Sequence, residues 1–418
     1  MKLIVEGGTP LRGRVRISGA KNSALVLIAA AAMARGEVIL DNVPRIADVE
    51  TQLEIVRSIG GDAEWQGENS VRIAFRGEPG VSVPYRLARK LRASNLFLGA
   101  LAARCGEAQI PMPGGCNIGS RPMDLHLKGL AALGFEVEVE QGYIKAVARS
   151  LKGAHIYLDF PSVGATENIM MAAATTPGTT ILENAAKEPE IVDLASFLNA
   201  MGARVRGAGT DLIRIEGVPE LGGARFPVIP DRIEAGTYLI AGGITRGEVT
   251  VENVIVRHLQ PLIAKLQDVG LDVDVGEDLV TVRYRGELRA TEIKTLPYPG
   301  FPTDLQSPMM ALLCLAKGTS VIVENVFENR FQVADELKRM GAKIRVKGQT
   351  AVVEGVERLM GAQVRATDLR AGAALLLAGL AAEGKTEICQ AELIARGYEK
   401  LQEKLAGIGA SVEVLQAP

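Results

Sequence analysis

The sequence predicts an α/β protein built from six copies of one unit, three in each of two similar domains. Three observations carry this: a repeating apolar segment, a glycine that follows it at a spacing of about 70 residues, and a break near mid-chain. At 418 residues the chain is too long for one ordinary core. Hydrophobic residues make up 47% and charged residues 23%, a globular balance; with aromatics at only 4%, the cores have to be built from Ala, Val, Leu and Ile.

The apolar segments read "ALVLIAAAAMARGEVIL", "LFLGALAARCGEAQI", "IMMAAATTPGTTIL", "YLIAGGITRGEVTV", "MMALLCLAKGTSVI" and "AALLLAGLAAEGKTEI". Each is a helix, a glycine and a strand, and Gly36, Gly106, Gly178, Gly247, Gly318 and Gly384 are expected as helix C-caps. A second helix–glycine–strand unit follows each one, from "LEIVRSIGGDAEW" to "LQEKLAGIGASVEV". Its helices are amphipathic, whereas the first set is apolar nearly all round and should be buried. The strands alternate apolar and polar residues, as half-exposed strands do. "VPELGGARFPVIPDR" separates the third unit from the fourth, so two domains with a cleft between them are expected.

A net charge of −2 argues against a nucleic-acid or membrane-surface binder, and leaves room for a small anionic substrate met by a few local cations. The opening "MKLIVEGGTPLRG" has no signal-like apolar stretch, and no apolar run approaches the roughly 20 residues of a membrane span. The expectation is a soluble, cytoplasmic protein. Four scattered cysteines without a CxxC give neither a disulfide framework nor a zinc site. There is no HExxH, GxSxG, Walker A or GxGxxG pattern, and no metal or cofactor is expected.

A polar cluster precedes each buried helix: "SGAKNSA", "RKLRASN", "PSVGATE", "PDRIEAG", "FPTDLQS" and "ATDLRAG". Ser162, Thr303 and Thr367 read as N-caps. Capping does not call for Lys21, Arg92, Arg232 or Arg370, because a cation at a helix N-terminus opposes the macrodipole. Either an anion binds between cation and helix end, or each cation pairs with a nearby carboxylate.

The strand-to-helix loops carry a second signal. Copies read "LDNVPRIADVE", "LENAAKEPEIV", "VENVIVRHLQP" and "VENVFENRFQV", but the second unit has "PMPGGCNIGSRP" instead. Cys105 and Cys314 fall on buried helices and Cys389 on a strand, where a free cysteine is a small hydrophobe. Cys116 has no such explanation: a Gly-rich loop with Arg121 nearby favours an accessible thiolate, and a catalytic or an incidental thiol both fit. His126 could reach that loop, while His155, in "AHIYLDF", reads as structural.

Taken together, "GAKNSAL", "LRAS", "PGGCNIGSRPMDLH", "SVGAT", "FPTD", "VFENRF", "ATDLRA" and "RGYEKL" resemble the UDP-N-acetylglucosamine 1-carboxyvinyltransferase family over nearly the whole chain. The wider group includes 5-enolpyruvylshikimate-3-phosphate synthase, which has a different opening motif and no such cysteine. The resemblance implies an inside-out α/β barrel fold with the site in the interdomain cleft. It divides the chain into domains at 21–229 and at 1–20 plus 230–418. It implies enolpyruvyl transfer from phosphoenolpyruvate to the 3-hydroxyl of UDP-N-acetylglucosamine, the first committed step of peptidoglycan synthesis. No cofactor, metal, nucleic acid or membrane takes part, and the protein is expected as a monomer. Cys116 matches the general acid and Asp304 the carboxylate that helps deprotonate the sugar hydroxyl. Lys21, Arg121 and Arg396 match cations around the phosphate; Arg330 and Arg370 match those near the carboxylate. Asn22, Arg92, Asp124, Ser162, Val163 and Val326 fall where the family holds the nucleotide sugar, and Asp368 is counted with them. The alternatives are a shikimate 3-phosphate enzyme and a non-catalytic nucleotide-sugar binder.

Overall fold

Each repeat spends most of its apolar residues on one helix. In the computed structural model, which describes residues 1–112, 118–119 and 122–415, these helices are Lys21–Ala31, Phe97–Cys105, Val163–Ala174, Arg232–Ile244, Gln306–Leu313 and Leu369–Ala381. Nine of the eleven residues of the first and twelve of the thirteen of the fourth are buried, as their all-round apolar character requires. The amphipathic set is Ala47–Ser58, Asp124–Ala132, Pro189–Ala200, Gln260–Asp268, Val333–Arg339 and Leu401–Gly407.

The described residues group into two compact units, one of residues 1–18, 118–119 and 230–415 and the other of residues 19–112 and 122–229. Each has its own apolar core. In the first, Arg232–Ile244, Gln306–Leu313 and Leu369–Ala381 pack on one another; in the other, Phe97–Cys105 touches both Lys21–Ala31 and Val163–Ala174. The strands lie outside these helices with alternate residues buried, for example Ser320 and Ile322 of Thr319–Val323. Helices inside and sheets outside make this the inverse of a barrel. Gly99 allows the close helix contact in the second unit, since a Cβ there would stand 2.4 Å from the Asn168 carbonyl.

Among the described residues, five sheets have four strands and one has three. The four-stranded sheets share one plan: an antiparallel trio and an outer strand beside it. In all five that strand runs parallel, as Ala224–Pro227 does along Val38–Asp41. In the one where Gln363–Arg365 runs parallel to Lys385–Cys389, Lys2–Glu6 is inserted between Lys385–Cys389 and Ser411–Leu415. Arg12–Arg16 pairs with Glu248–Glu252, so the chain's first sixteen residues complete two sheets of the unit that holds the C-terminal half. The exception belongs to the repeat with the cysteine loop: Glu107–Pro111, Tyr143–Ala148 and Phe135–Glu140 stand alone, and the outer strand shrinks to a single Ser82–Gln109 bridge.

The repeated glycines are not helix caps in general. Only Gly106 directly ends its helix, in the left-handed region at φ 69°; the others lie in the connection that follows. Gly247 is required for another reason, because a Cβ would stand 1.9 Å from the Leu11 carbonyl where the outer strand begins. Gly247→Ala is expected to destabilise the protein by about 1–3 kcal/mol through that clash, while Gly77→Ala, with open space around it, leaves the melting temperature unchanged. Calorimetry on the two variants checks this.

Candidate active site

Asp304 sits in the single 3-10 turn Thr303–Leu305 that opens the buried helix Gln306–Leu313. Arg330 donates to its Oδ1 at 3.0 Å and Arg370 to its Oδ2 at 3.1 Å. Both guanidinium groups are almost wholly buried, at 2% and 4% exposed, while the carboxylate they share is 25% exposed. Among the described residues, Nε and Nη1 of Arg330 are buried without a hydrogen-bond partner. Two buried cations on one carboxylate leave a surplus positive charge, and two unused donors beside it, where the surroundings are too dry to screen either.

The orientation of Arg370 is determined from both ends. Its helix, Leu369–Ala381, is capped by Asp368, whose Oδ1 accepts from the amides of Arg370 and Ala371 at 2.8 and 3.0 Å. Its other amino group donates to Tyr398 Oη at 3.2 Å. Thr237 gives its hydroxyl proton to the Ile233 carbonyl, so Tyr398 must donate to Thr237 at 2.8 Å and accept from Arg370. Burial works to lower the Arg370 pKa, but the charge of Asp304, helped by Tyr398 and Asp231, outweighs it and holds the guanidinium above its ordinary value. Burial also raises the Tyr398 phenol, against the pull of Arg370, so it stays protonated.

Two expected caps are corrected here. Thr303 donates to Glu324 Oε2, and Thr367 leans on Asp368, which is the actual cap. The Thr303 hydroxyl is spent as a donor to Glu324 and no side chain among the described residues caps that turn, whereas at Asp368 a carboxylate out-competes the Thr367 hydroxyl as the acceptor at the helix start. Asp231 likewise caps Arg232–Ile244. Ser162 does cap its helix, accepting from Ala165 at 3.3 Å. Val326 follows the strand Thr319–Val323, with its amide bonded to Glu324, and Arg396 ends the turn Ala391–Arg396.

In the other unit, Lys21 and exposed Asn22 begin the helix Lys21–Ala31, and Lys21 Nζ lies 2.8 Å from buried Asp48. Pairing with a carboxylate therefore accounts for Lys21 as the structure stands. Arg232, in the first unit, packs over the Tyr298 ring at 5.5 Å. Ser23 donates to Asp193, whose carboxyl burial pushes up to about 6. Arg92 opens the turn Arg92–Leu96, Asp124 opens Asp124–Ala132 and Val163 opens Val163–Ala174. Cys116 and Arg121 lie outside the described residues. Next to them, the Ile118 carbonyl accepts from the Asn329 amide, one residue before Arg330.

The remaining cysteines divide by burial. It pushes the Cys314 thiol up to about 12 and raises that of Cys105, while Cys389 is half-buried on its strand. His155 is on a strand as expected, yet it is exposed and 3.0 Å from Glu183, so it is not a core residue. His126 is buried instead: its Nδ1 is 2.9 Å from the Asn168 amide nitrogen, and the Gly99 N–H fixes which end of Asn168 faces it. Asn168 is therefore the donor, and the ring is the neutral Nε2–H tautomer. Sequence reasoning missed Asp48, Tyr398 and Glu324 as site residues. Their signal was an acid or phenol at a position the helical or strand period buries.

No group of three His, Cys, Asp or Glu among the described residues could hold a metal ion, and no helix among them is long and apolar enough to cross a membrane.

Comparison with known proteins agrees with the fold and the motifs. The chain belongs to the EPSP synthase (3-phosphoshikimate 1-carboxyvinyltransferase) family, whose model matches residues 5–405. More particularly, it is 54% identical over 412 residues to UDP-N-acetylglucosamine 1-carboxyvinyltransferase 1 of Caldanaerobacter subterraneus subsp. tengcongensis, covering 98% of this chain and 99% of that one. To UDP-N-acetylglucosamine 1-carboxyvinyltransferase 2 of Carboxydothermus hydrogenoformans it is 56% identical over 414 residues, 99% of each. Among solved structures, the enolpyruvyl transferase NikO from Streptomyces tendae is similar at a TM-score of 0.90 and 30% identity, covering 100% and 99% of the two chains. EPSP synthase from Acinetobacter baumannii, at 0.77 and 20% over 99% of this chain and 100% of that one, shares the fold.

Burial, with the charge of Arg92 adding to it, lowers the His126 pKa to about 3. The unfolded ring titrates near 6.5, so the stability held in the neutral form is fully present above that pH and is lost as pH falls towards 3. Imidazole nitrogen shifts at pH 5 are expected to report a neutral Nε2–H ring for His126; a protonated ring at that pH contradicts the assignment.

Proposed function

We propose that this chain transfers the enolpyruvyl group of phosphoenolpyruvate to the 3-hydroxyl of UDP-N-acetylglucosamine, releasing phosphate. The observation that carries the reading is Asp304 held between two buried guanidiniums, one with two donors to spare. A carboxylate can accept from one of the spare donors of Arg330, and its charge offsets the surplus left by the pairing with Asp304. The acceptor is chosen because relatives more than half identical over the whole length carry that nucleotide sugar in their names.

In this reading the thiol of Cys116 gives a proton to C3 of phosphoenolpyruvate, which builds positive character at C2. The 3-oxygen of the sugar attacks C2 while Asp304 takes its proton, and a tetrahedral adduct forms. Loss of a proton from C3 and of phosphate from C2 restores the double bond in the product. Positioned acid and base groups each contribute about 10²–10⁴-fold in such steps. Lys21, Arg121 and Arg396 take the phosphate, with Asp48 holding the Lys21 ammonium in place. Arg330 and Arg370 take the carboxylate. Asn22, Arg92, Asp124, Ser162, Val163, Val326 and Asp368 serve the nucleotide sugar. The product would feed peptidoglycan synthesis in the cytoplasm, with the enzyme acting as a monomer and without a cofactor.

Phosphate release separates this from the shikimate reading. With phosphoenolpyruvate present, release is expected with UDP-N-acetylglucosamine and none above background with shikimate 3-phosphate. Turnover with shikimate 3-phosphate alone overturns the choice of acceptor, and no turnover with either points to a nucleotide-sugar binder.

A further inference from the structure

In four repeats an acid followed by asparagine ends a strand or directly follows it: Asp41–Asn42, Glu183–Asn184, Glu252–Asn253 and, just past Thr319–Val323, Glu324–Asn325. In every copy the asparagine amide donates to a carbonyl of the adjoining segment, that of Val228, Leu158, Ile17 or Thr295, at 2.7–3.1 Å. In three copies the acid pairs across the sheet with a partly exposed basic residue: Asp41 with Arg225, Glu183 with His155 and Glu252 with Arg14. Their asparagines lie in the left-handed region at φ 54–61°, and the residues supplying the carbonyls are buried and apolar.

The fourth copy departs in three ways at once. Glu324 turns inward and is 1% exposed, Asn325 is not left-handed, and the buried apolar residue is replaced by Thr295. Four donors converge on that carboxylate. Oε1 accepts from the Thr295 hydroxyl at 2.7 Å and from the amides of Val326 and Phe327 at 2.8 and 3.1 Å. Oε2 accepts from the Thr303 hydroxyl at 3.0 Å. Thr303 adjoins Asp304, and the 326–327 segment leads directly into Arg330. One buried side chain thus ties together the two pieces of backbone that carry the Asp304–Arg330 pair.

We infer that Glu324 is a positioning residue with two separable arms. The Oε2 arm sets the orientation of Asp304 through Thr303, and the Oε1 arm holds the Val326–Phe327 segment where the nucleotide sugar is proposed to bind. This rests on the function proposed above. A carboxylate inside hydrogen-bond reach of four donors is stiff, and a base displaced by about 1 Å can lose on the order of 100-fold in rate.

Steady-state kinetics with phosphoenolpyruvate and UDP-N-acetylglucosamine, together with melting temperatures, test it on the wild type, Thr303→Val, Thr303→Ser and Glu324→Ala. Thr303→Val removes only the Oε2 arm: kcat is expected to fall about tenfold or more, with KM for the nucleotide sugar within about twofold. Thr303→Ser restores the hydroxyl and brings kcat back to within about threefold. Glu324→Ala cuts both arms, lowering kcat and raising that KM; if it does not fold, the Thr303 pair still decides. Thr303→Val at the wild-type kcat, kcat and KM moving together in it, or no recovery with serine overturns the inference. A wild type that turns over while Thr303→Val matches it rejects this inference alone. A wild type without turnover on these substrates rejects the proposed function, and this inference with it.

Discussion

Two buried guanidiniums share one carboxylate, and much of the C-terminal unit is arranged around that shortage of negative charge. A carboxylate and a guanidinium can be buried together when their hydrogen bonds are satisfied; a second guanidinium cannot be settled by the same two oxygens. Arg370 meets its remaining demand with the Tyr398 phenol, whose proton runs on to Thr237 and the helix backbone. Arg330 has no such relief for Nε and Nη1 among the described residues. In the function proposed above, an arriving anion offsets this unfavourable burial.

The repeat architecture explains how such a group is held. Each buried helix begins at the surface of a small core, so the residues just before it are rigidly based yet accessible. Asp368 shows the economy: its position as a cap puts Arg370 on the first turn, and the helix behind it is buried for eleven of its thirteen residues. Turning inward the acid that other copies keep paired across the sheet makes the loop at 324 the mount for both Asp304 and Arg330.

The six-fold repeat and the buried set of helices were legible because period, composition and glycine spacing repeat along one chain. Asp304, Arg330 and Arg370 were found through motif resemblance; nothing in the periodicity brings 304, 330 and 370 together. Other features could not be read. The repeated glycines looked like caps, but Gly247 is needed because another segment's carbonyl presses on it, a tertiary fact. Thr303 and Thr367 have cap-like side chains, but Thr367 loses that role to Asp368 and Thr303 donates to Glu324 instead. His126 is buried and His155 exposed, which the sequence did not show, since a single histidine carries no period to mark which face is buried. Glu324 was hidden inside a repeated "VEN" shared with Glu252; its inward turn and the Thr295 that meets it are tertiary facts.

The central claim is that the unused donors of Arg330 await the carboxylate of the three-carbon substrate. A crystal structure of this chain grown with phosphoenolpyruvate tests it most directly. The predicted result is a carboxylate within hydrogen-bond distance of Nε or Nη1 of Arg330, with Asp304 still held by its two guanidiniums. Phosphoenolpyruvate bound elsewhere, with those two nitrogens still unpartnered, would contradict the account.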